Sequence, residues 1–405
     1  MIILIRPSTL SWIFLFLLFS GCTKPAVTNP VAPINPVPPV SNLPVDSASV
    51  IYLSAGYSND LFAIDPANGN ILWSAKVSGT ANTSAAYSEG TIMVKGYDNG
   101  QSEDISAFGT DGKPKWTFHL PGNFESPEQI ALMATGGVVY TQDLEHIYAI
   151  NVSDGSVKWT FEKTDPFGMG SGTCILKNHV LYAMSFHSYL YALDEQTGNL
   201  QWVEDMGSQL CTPFISEDSF FVADGQEILI YNSHTGQLKK NIPGFPTGGP
   251  INIQYGRIFS FDGKSTDTAT FTQAYPFFSF EPRFIPSGSS YPIVADSMVI
   301  LPYGIYNAFT GNFICKPPSM FDAGSSGGYL CGATYLNHIL YYTTGERSAY
   351  DGGGAEHYYS DVYAYDVRSQ TLLWQKTIQS TNIFDVEPCI VTKSGMVYRG
   401  IYSFK

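Results

Sequence analysis

Short apolar runs, separated by clusters of Gly, Asn, Asp, Ser and Thr, recur along most of the chain. In the run 190–193, an extended strand turns Leu190 and Ala192 one way and Tyr191 and Leu193 the other. Apolar character on both faces predicts a sheet sandwiched between two neighbouring sheets. The runs GGVVYTQD (136–143), NHVLYAMS (178–185) and DSFFVADG (218–225) predict further strands, preceded by segments such as TCIL (173–176) and TPFI (212–215). Helix-length 3.6-residue periodicity is absent, which argues against helical repeats.

Four segments fall into register: LFAIDPANGNILW (61–73), ISAFGTDGKPKW (105–116), IYAINVSDGSVKW (147–159) and LYALDEQTGNLQW (190–202). Their tryptophans, Trp73, Trp116, Trp159 and Trp202, are 43 residues apart each time. The register continues with Lys240 and Cys315 in the Trp slot, and Trp374 restores it. Asp65, Asn151, Asp194, Asn232, Asn307 and Asp366 stand eight residues before the slot. Gly69, Gly112, Gly155, Gly198, Gly236 and Gly311 stand four before it. The Asp or Asn side chain suits a bond to turn backbone two residues on, and Gly supplies positive φ. Trp can bury a large apolar area between sheets, and Ala at 63, 107, 149, 192 and 364 lets sheets approach closely.

Four strands per period make one blade of a β-propeller. The fold class predicted is all-β, a propeller of four-stranded antiparallel blades, with eight blades expected and seven the alternative. The eighth comes from 251–280, which reads as a degenerate blade with a lost turn. The opening strand VIYLS (50–54) lacks an innermost partner, which PCIV (388–391) can supply to close the ring. That leaves the apolar segments within 396–404 without a place.

The N-terminus reads differently. Arg6 precedes an apolar run from Leu10 to Phe19, and Ser20 and Gly21 lead to Cys22. This is a secretory signal layout too short for an ordinary spanning helix. The order resembles a bacterial lipobox, which implies that 1–21 is a signal peptide and that Cys22 becomes the lipidated first residue. Seven prolines between 25 and 44 favour polyproline II, so 22–46 reads as a tether and 47–405 as the propeller. By the same resemblance to bacterial lipoproteins, Thr23 rather than Asp implies the outer membrane, and the lack of an acidic cluster after Cys22 implies its periplasmic face.

Composition narrows the partners. The net charge of −14 leaves no basic stripe for a nucleic-acid backbone. The six cysteines show no metal-site or redox spacing, and the seven histidines are scattered. Cys174 with Cys211, and Cys331 with Cys389, fall on successive innermost strands; free thiols are the preferred reading. No catalytic residue, metal site or cofactor is assigned.

The Ala-x-Asp/Asn-x-x-x-Gly-x-x-x-Trp pattern, over roughly 50–404, resembles the pyrroloquinoline quinone-type β-propeller repeat family. In that family the motif builds blades and does not itself bind quinone. The quinone-dependent dehydrogenase branch uses an adjacent cysteine pair and a Trp beneath the cofactor. This chain has no such pair, and every Trp beyond the signal segment is in a blade slot. The resemblance therefore points to the non-enzymatic lipoprotein branch typified by BamB, a subunit of the outer-membrane barrel assembly machinery.

The function expected is a cell-envelope scaffold that binds another protein, with outer-membrane protein assembly as its sharper form. The alternatives are a glycan- or small-ligand-binding lipoprotein and an enzyme with a site in the central funnel. Two segments stand out as surfaces for a ligand or partner. The insertion 343–361 holds Asp351, Glu356, His357 and Asp361 around a Gly run and reads as a loop over one face. The aromatic segment 277–292 holds Phe277, Phe278, Phe280 and Arg283. Gly-rich stretches at 168–172, 247–249 and 323–328 precede innermost strands, and 262–270 reads as a polar turn.

Overall fold

The strand–turn–strand pattern is realised eight times. In the computed structural model the described residues are 47–404, apart from 56–58, 82, 99–101, 122–131, 144, 165–173, 186–188, 207–213, 217, 224–226, 244–250, 261–262, 277–291, 321–329, 345–346, 351–355, 380–387 and 400–401. Eight antiparallel sheets form an eight-bladed propeller. Blade 2 spans 80–120, blade 3 133–162, blade 4 175–205, blade 5 214–243, blade 6 251–276, blade 7 293–315 and blade 8 330–379. Their main strands run from the inner edge outward in chain order, with Arg347–Tyr350 an added strand in blade 8; the inner strand of blade 2 is split into Thr80–Ala81 and Ala86–Ser88.

Blade 1 is built from both ends of the chain. Ile71–Lys76, Asp60–Ile64 and Ala48–Ala55 are followed inward by Cys389–Thr392, with Tyr52 opposite Cys389 and Ile51 opposite Ile390. The segment 388–391 thus supplies the missing strand. Val397–Arg399 and Tyr402–Phe404 then extend the same sheet further inward as a hairpin, giving six strands. The apolar residues that had no place in the repeat are these two strands.

The repeat residues lock one blade to the next. Trp73, Trp116, Trp159 and Trp202 each donate an indole N–H to a carbonyl in the next blade's outer turn: Thr110 at 2.9 Å, Val152 at 2.9 Å, Glu195 at 3.0 Å and Ser233 at 3.1 Å. Trp374 of blade 8 donates to Pro66 of blade 1 at 2.8 Å and closes the ring. Each indole lies against that turn's glycine. A Cβ on Gly198 would stand 2.6 Å from the Trp159 ring, and one on Gly69 2.6 Å from Trp374. Glycine there answers two demands at once, positive φ and close approach. The alanines at 63, 107, 149, 192 and 364 are buried where the sheets face one another.

The turn acids and amides act locally. Asp65, Asp194, Asn232, Asn307 and Asp366 each accept from the amide two residues on, at 2.8–3.1 Å. Asn151 differs: its amide donates to Ser156 Oγ, and Asp154 accepts from Ser156 N instead.

Blade 6 corrects the expectation of a lost turn. Asp267 accepts from the amides of Ala269 and Thr270, and Phe271 occupies the glycine position at φ 56. Lys264–Asp267 is a strand rather than part of a polar turn, because Ser265 and Thr266 face buried sheet surfaces. Both members of the interlock have changed together. Lys240 stands in the Trp slot of blade 5, and its Nζ lies 3.8 Å from the centre of the Phe271 ring. A cation over an aromatic face replaces an indole over a glycine.

Candidate functional site

Antiparallel order gives the propeller two unlike faces. The turns between first and second strands, and between third and fourth, share one face, called the turn face here. The turns between second and third strands and the connections between blades share the other, called the insertion face.

The insertion face is extended at blade 8. Arg347–Tyr350 pairs with the start of the strand Glu356–Asp366, with Ala349 opposite His357 and Tyr350 opposite Glu356. The expected loop at 343–361 is therefore largely a two-stranded ribbon. Its Tyr350, Tyr358 and Tyr359 are residues that favour strands. Glu356 and His357 lie at its far end, and Asp351 falls outside the described residues. Asp361 is not a surface group: it is buried and accepts from Thr377 Oγ1 at 2.6 Å and Tyr363 Oη at 3.3 Å. Phe277, Phe278, Phe280 and Arg283 lie outside the described residues, between strands Gln273–Pro276 and Ile293–Ala295. The same holds for the three Gly-rich stretches and Cys211.

The centre of the ring is occupied by the chain itself. The terminal hairpin lies inside Cys389–Thr392, and Arg399 Nη1 donates to Leu132 O of blade 3 at 2.6 Å. Ala85, Ala86, Leu132, Ala134, Cys389 and Val397 line a small cavity together with the buried Arg399. Beside this core a polar girdle links blades 1 to 4 at equivalent strand positions. Ser54 Oγ donates to Thr83 O, Lys95 Nζ donates to Gln142 O at 3.3 Å, and Gln142 Nε2 donates to Met184 O at 2.9 Å. Lys95 is also ion-paired with Glu103, both fully buried. Burial pushes the Glu103 carboxyl up, against the opposing pull of Lys95. Such a network holds blades in register, since each buried polar group would be costly alone.

One Ser, Asp and His meet on blade 2. Asp104 accepts from Ser78 Oγ at 2.5 Å and contacts His119 Nδ1 at 2.8 Å. The carboxylate stands between the other two, whereas nucleophile activation needs the imidazole there. Cys174, Cys315 and Cys389 are buried, and burial pushes the Cys174 thiol up to about 12. A thiol so raised is unreactive near neutrality. Cys174 directly precedes the inner strand of blade 4, and Cys331 lies in Leu330–Leu336. Among the described residues no His, Cys, Asp or Glu cluster is placed to hold a metal. The residues do not fit a quinone cofactor either: each described Trp is committed to an outer strand against the next blade, and the terminal hairpin enters the channel.

The turn face carries features the repeat does not explain. Tyr255 and Phe309, from blades 6 and 7, are both exposed and their ring centres lie 5.2 Å apart. Beside them Asp296, Tyr335, His338 and Arg368 form one hydrogen-bonded chain from blade 7 to blade 8. The burial of Tyr335 and its bond to Asp296 push its hydroxyl pKa up. None of these residues stood out in the strand pattern. The available signal was an aromatic at Tyr255 and Phe309 where the matching turn positions of the other blades hold Gly, Ala or polar residues.

Comparison with known proteins places these features. The family described as outer membrane protein assembly factor BamB matches residues 35–238, half of the chain. The outer membrane protein assembly factor BamB of Yersinia pestis is 23% identical over 158 residues, 36% of this chain. That match spans 39% of the relative's own length. Among solved structures, BamB from Moraxella catarrhalis superposes with a TM-score of 0.57 at 15% identity, covering 75% of this chain and 91% of that one. The dihydro-heme d1 dehydrogenase NirN superposes with a TM-score of 0.59 at 10% identity, covering 85% and 76%. One of these neighbours is named as an assembly factor and the other as a dehydrogenase, so the shared fold does not choose between functions.

Proposed function

Since the chain belongs to the family of the outer membrane protein assembly factor BamB, we propose that it is a non-catalytic, protein-binding scaffold of the cell envelope, held by a lipid on Cys22 at the periplasmic face of the outer membrane and serving outer-membrane protein assembly. One observation carries this reading. The chain's own terminal hairpin enters the channel, where a propeller would otherwise offer a funnel, while the blade 8 ribbon adds surface to the insertion face. The family match, the polar girdle that links neighbouring blades and the unproductive order of Ser78, Asp104 and His119 support the same reading.

Site-specific photo-crosslinking tests it. A photoreactive residue at Ser348 or Tyr358 on the ribbon is expected to trap a component of a barrel-assembly complex. The same residue at Gln196 or His234 on the turn face is expected to trap none. Equal trapping from both faces, or none above an unilluminated control, refutes the reading. Cys22→Ala is expected to shift the protein from the membrane to the soluble fraction; unchanged fractionation refutes the anchor.

A further inference from the structure

Two aromatic residues break the turn chemistry of their blades and meet on the turn face. First turns use paired positive-φ residues such as Gly136–Gly137, Asn178–His179, Asp296–Ser297 and Asn337–His338. Such turns favour Gly, Asn and Asp. In blade 6 the leading position is Tyr255, at φ 53. A bulky side chain there is an outlier, and strain of this kind concentrates at ligand clamps. In the outer turns, the second residue after the Asp or Asn is Ala67, Ser153, Gln196, His234, Ala269 and Arg368; in blade 7 it is Phe309. The Tyr255 ring is 46% exposed and the Phe309 ring 42%, although each is large enough to have been buried.

The surroundings set the chemistry. Tyr255 Oη accepts from Ser297 N at 3.3 Å, and Ala308 N donates to Ser297 O at 2.8 Å, so both rings border the turn that holds Asp296. Asp296 Oδ2 accepts from Tyr335 Oη at 2.7 Å and lies 2.9 Å from His338 Nδ1. Arg368 Nη2 stands 2.6 Å from His338 Nε2. Arginine only donates, so in this contact His338 Nε2 is the acceptor and Nδ1 faces Asp296 as the donor. Asp296 and Arg368 thus balance each other through His338. With the Asp366 carboxylate of the same outer turn beside them, the result is a pair of exposed aromatic faces flanked by donors and acceptors with no excess of positive charge.

We propose that this surface of blades 6 to 8 is a binding site for a neutral oligosaccharide, with a pyranose seated on Tyr255 and Phe309 and its hydroxyls facing the Asp296–His338–Arg368 edge. A pyranose offers an apolar face and a rim of hydroxyls, which matches rings flanked by polar groups. A purely apolar peptide side chain would strip water from Asp296 and Arg368 without repaying them. An anionic polymer meets a chain of net charge −14.

The test is calorimetric titration of the full chain with neutral tetrasaccharides of glucose, N-acetylglucosamine, mannose and galactose. At least one is expected to bind, and Tyr255→Asn and Phe309→Thr are each expected to weaken it by about tenfold or more. Asn and Thr suit those turns, so neither variant is expected to lower the thermal midpoint, and both are expected to keep the ribbon crosslinks. No binding of any tetrasaccharide at millimolar concentration overturns the proposal. So does binding that both variants leave intact, or loss of a protein crosslink in the variants with sugar binding unchanged.

Discussion

Gly198→Ala isolates what the interlock contributes. Gly198 has φ 72, and an added methyl would stand 2.6 Å from the Trp159 ring. The left-handed backbone alone costs an alanine about 1–2 kcal/mol. The overlap adds about 1–3 kcal/mol, because Trp159 is only 8% exposed and its N–H is tied to Glu195 O. The expected loss is therefore about 2–5 kcal/mol. Gly90→Ala is the matched control: its φ is 73, but nothing lies within 4 Å of the added atom. It is expected to cost only the backbone share, about 1–2 kcal/mol. Urea unfolding followed by circular dichroism measures both. A third variant closes the argument: in a Trp159→Ala background the overlap is gone, so Gly198→Ala is expected to cost no more than Gly90→Ala. Equal costs for the two single variants, or an undiminished cost without the indole, would refute the interlock as a packing device.

Three further outcomes follow from the same geometry. Lys240→Trp alone is expected to destabilise, since Phe271 fills the space a glycine leaves elsewhere, and adding Phe271→Gly is expected to recover about 1 kcal/mol or more in a double-mutant cycle; additive effects would contradict the paired exchange. Arg399→Ala removes a buried charged donor to Leu132 O and is expected to cost about 1.5–3 kcal/mol by urea unfolding; a neutral result would mean that the hairpin is not anchored across the channel. Carboxyl titration by NMR is expected to find Glu103 above the ordinary glutamate midpoint, because of burial, and Asp366 below the ordinary aspartate midpoint, because of the bond from the Ser369 amide. The stability linked to Glu103 is present below its unfolded pKa and lost as pH rises through the folded value; that linked to Asp366 is present above its unfolded pKa and lost as pH falls through the folded one. The opposite order of midpoints would overturn the assignment of causes.

The repeat was legible because its physics is local. A Trp, a Gly and an Asp at set offsets describe one turn and the indole that covers it, and seven slots could be read that way. Blade 6 was misread as lacking its turn because the two conspicuous letters had changed. Asp267 kept its distance from slot residue 275, but Phe271 held the glycine position. The places of Val397–Arg399 and Tyr402–Phe404 were not legible, since alternation marks a strand without saying which sheet receives it. The 343–361 insertion misled through its Gly run, although its flanks carry the residues of a paired ribbon. Tyr255 and Phe309 escaped notice because each is ordinary by itself; they stand out only against the same turn position in the other blades.

The composite first blade also bears on the order in which the molecule is made. Ribosomes deliver residues from the N-terminus, so Ala48–Ala55 is available long before Cys389–Thr392, the strand it must pair with. Until that partner arrives, blade 1 presents an unpaired strand edge, and Trp374 has not yet reached Pro66 to seal the seam. Blades 2 to 7 pair neighbours in sequence and can assemble as they emerge, whereas joining the two ends must overcome the loop entropy of more than three hundred residues. Ring closure thus cannot precede the arrival of Cys389–Thr392, and a chain cut short before residue 389 lacks the strand that covers the edge of Ala48–Ala55.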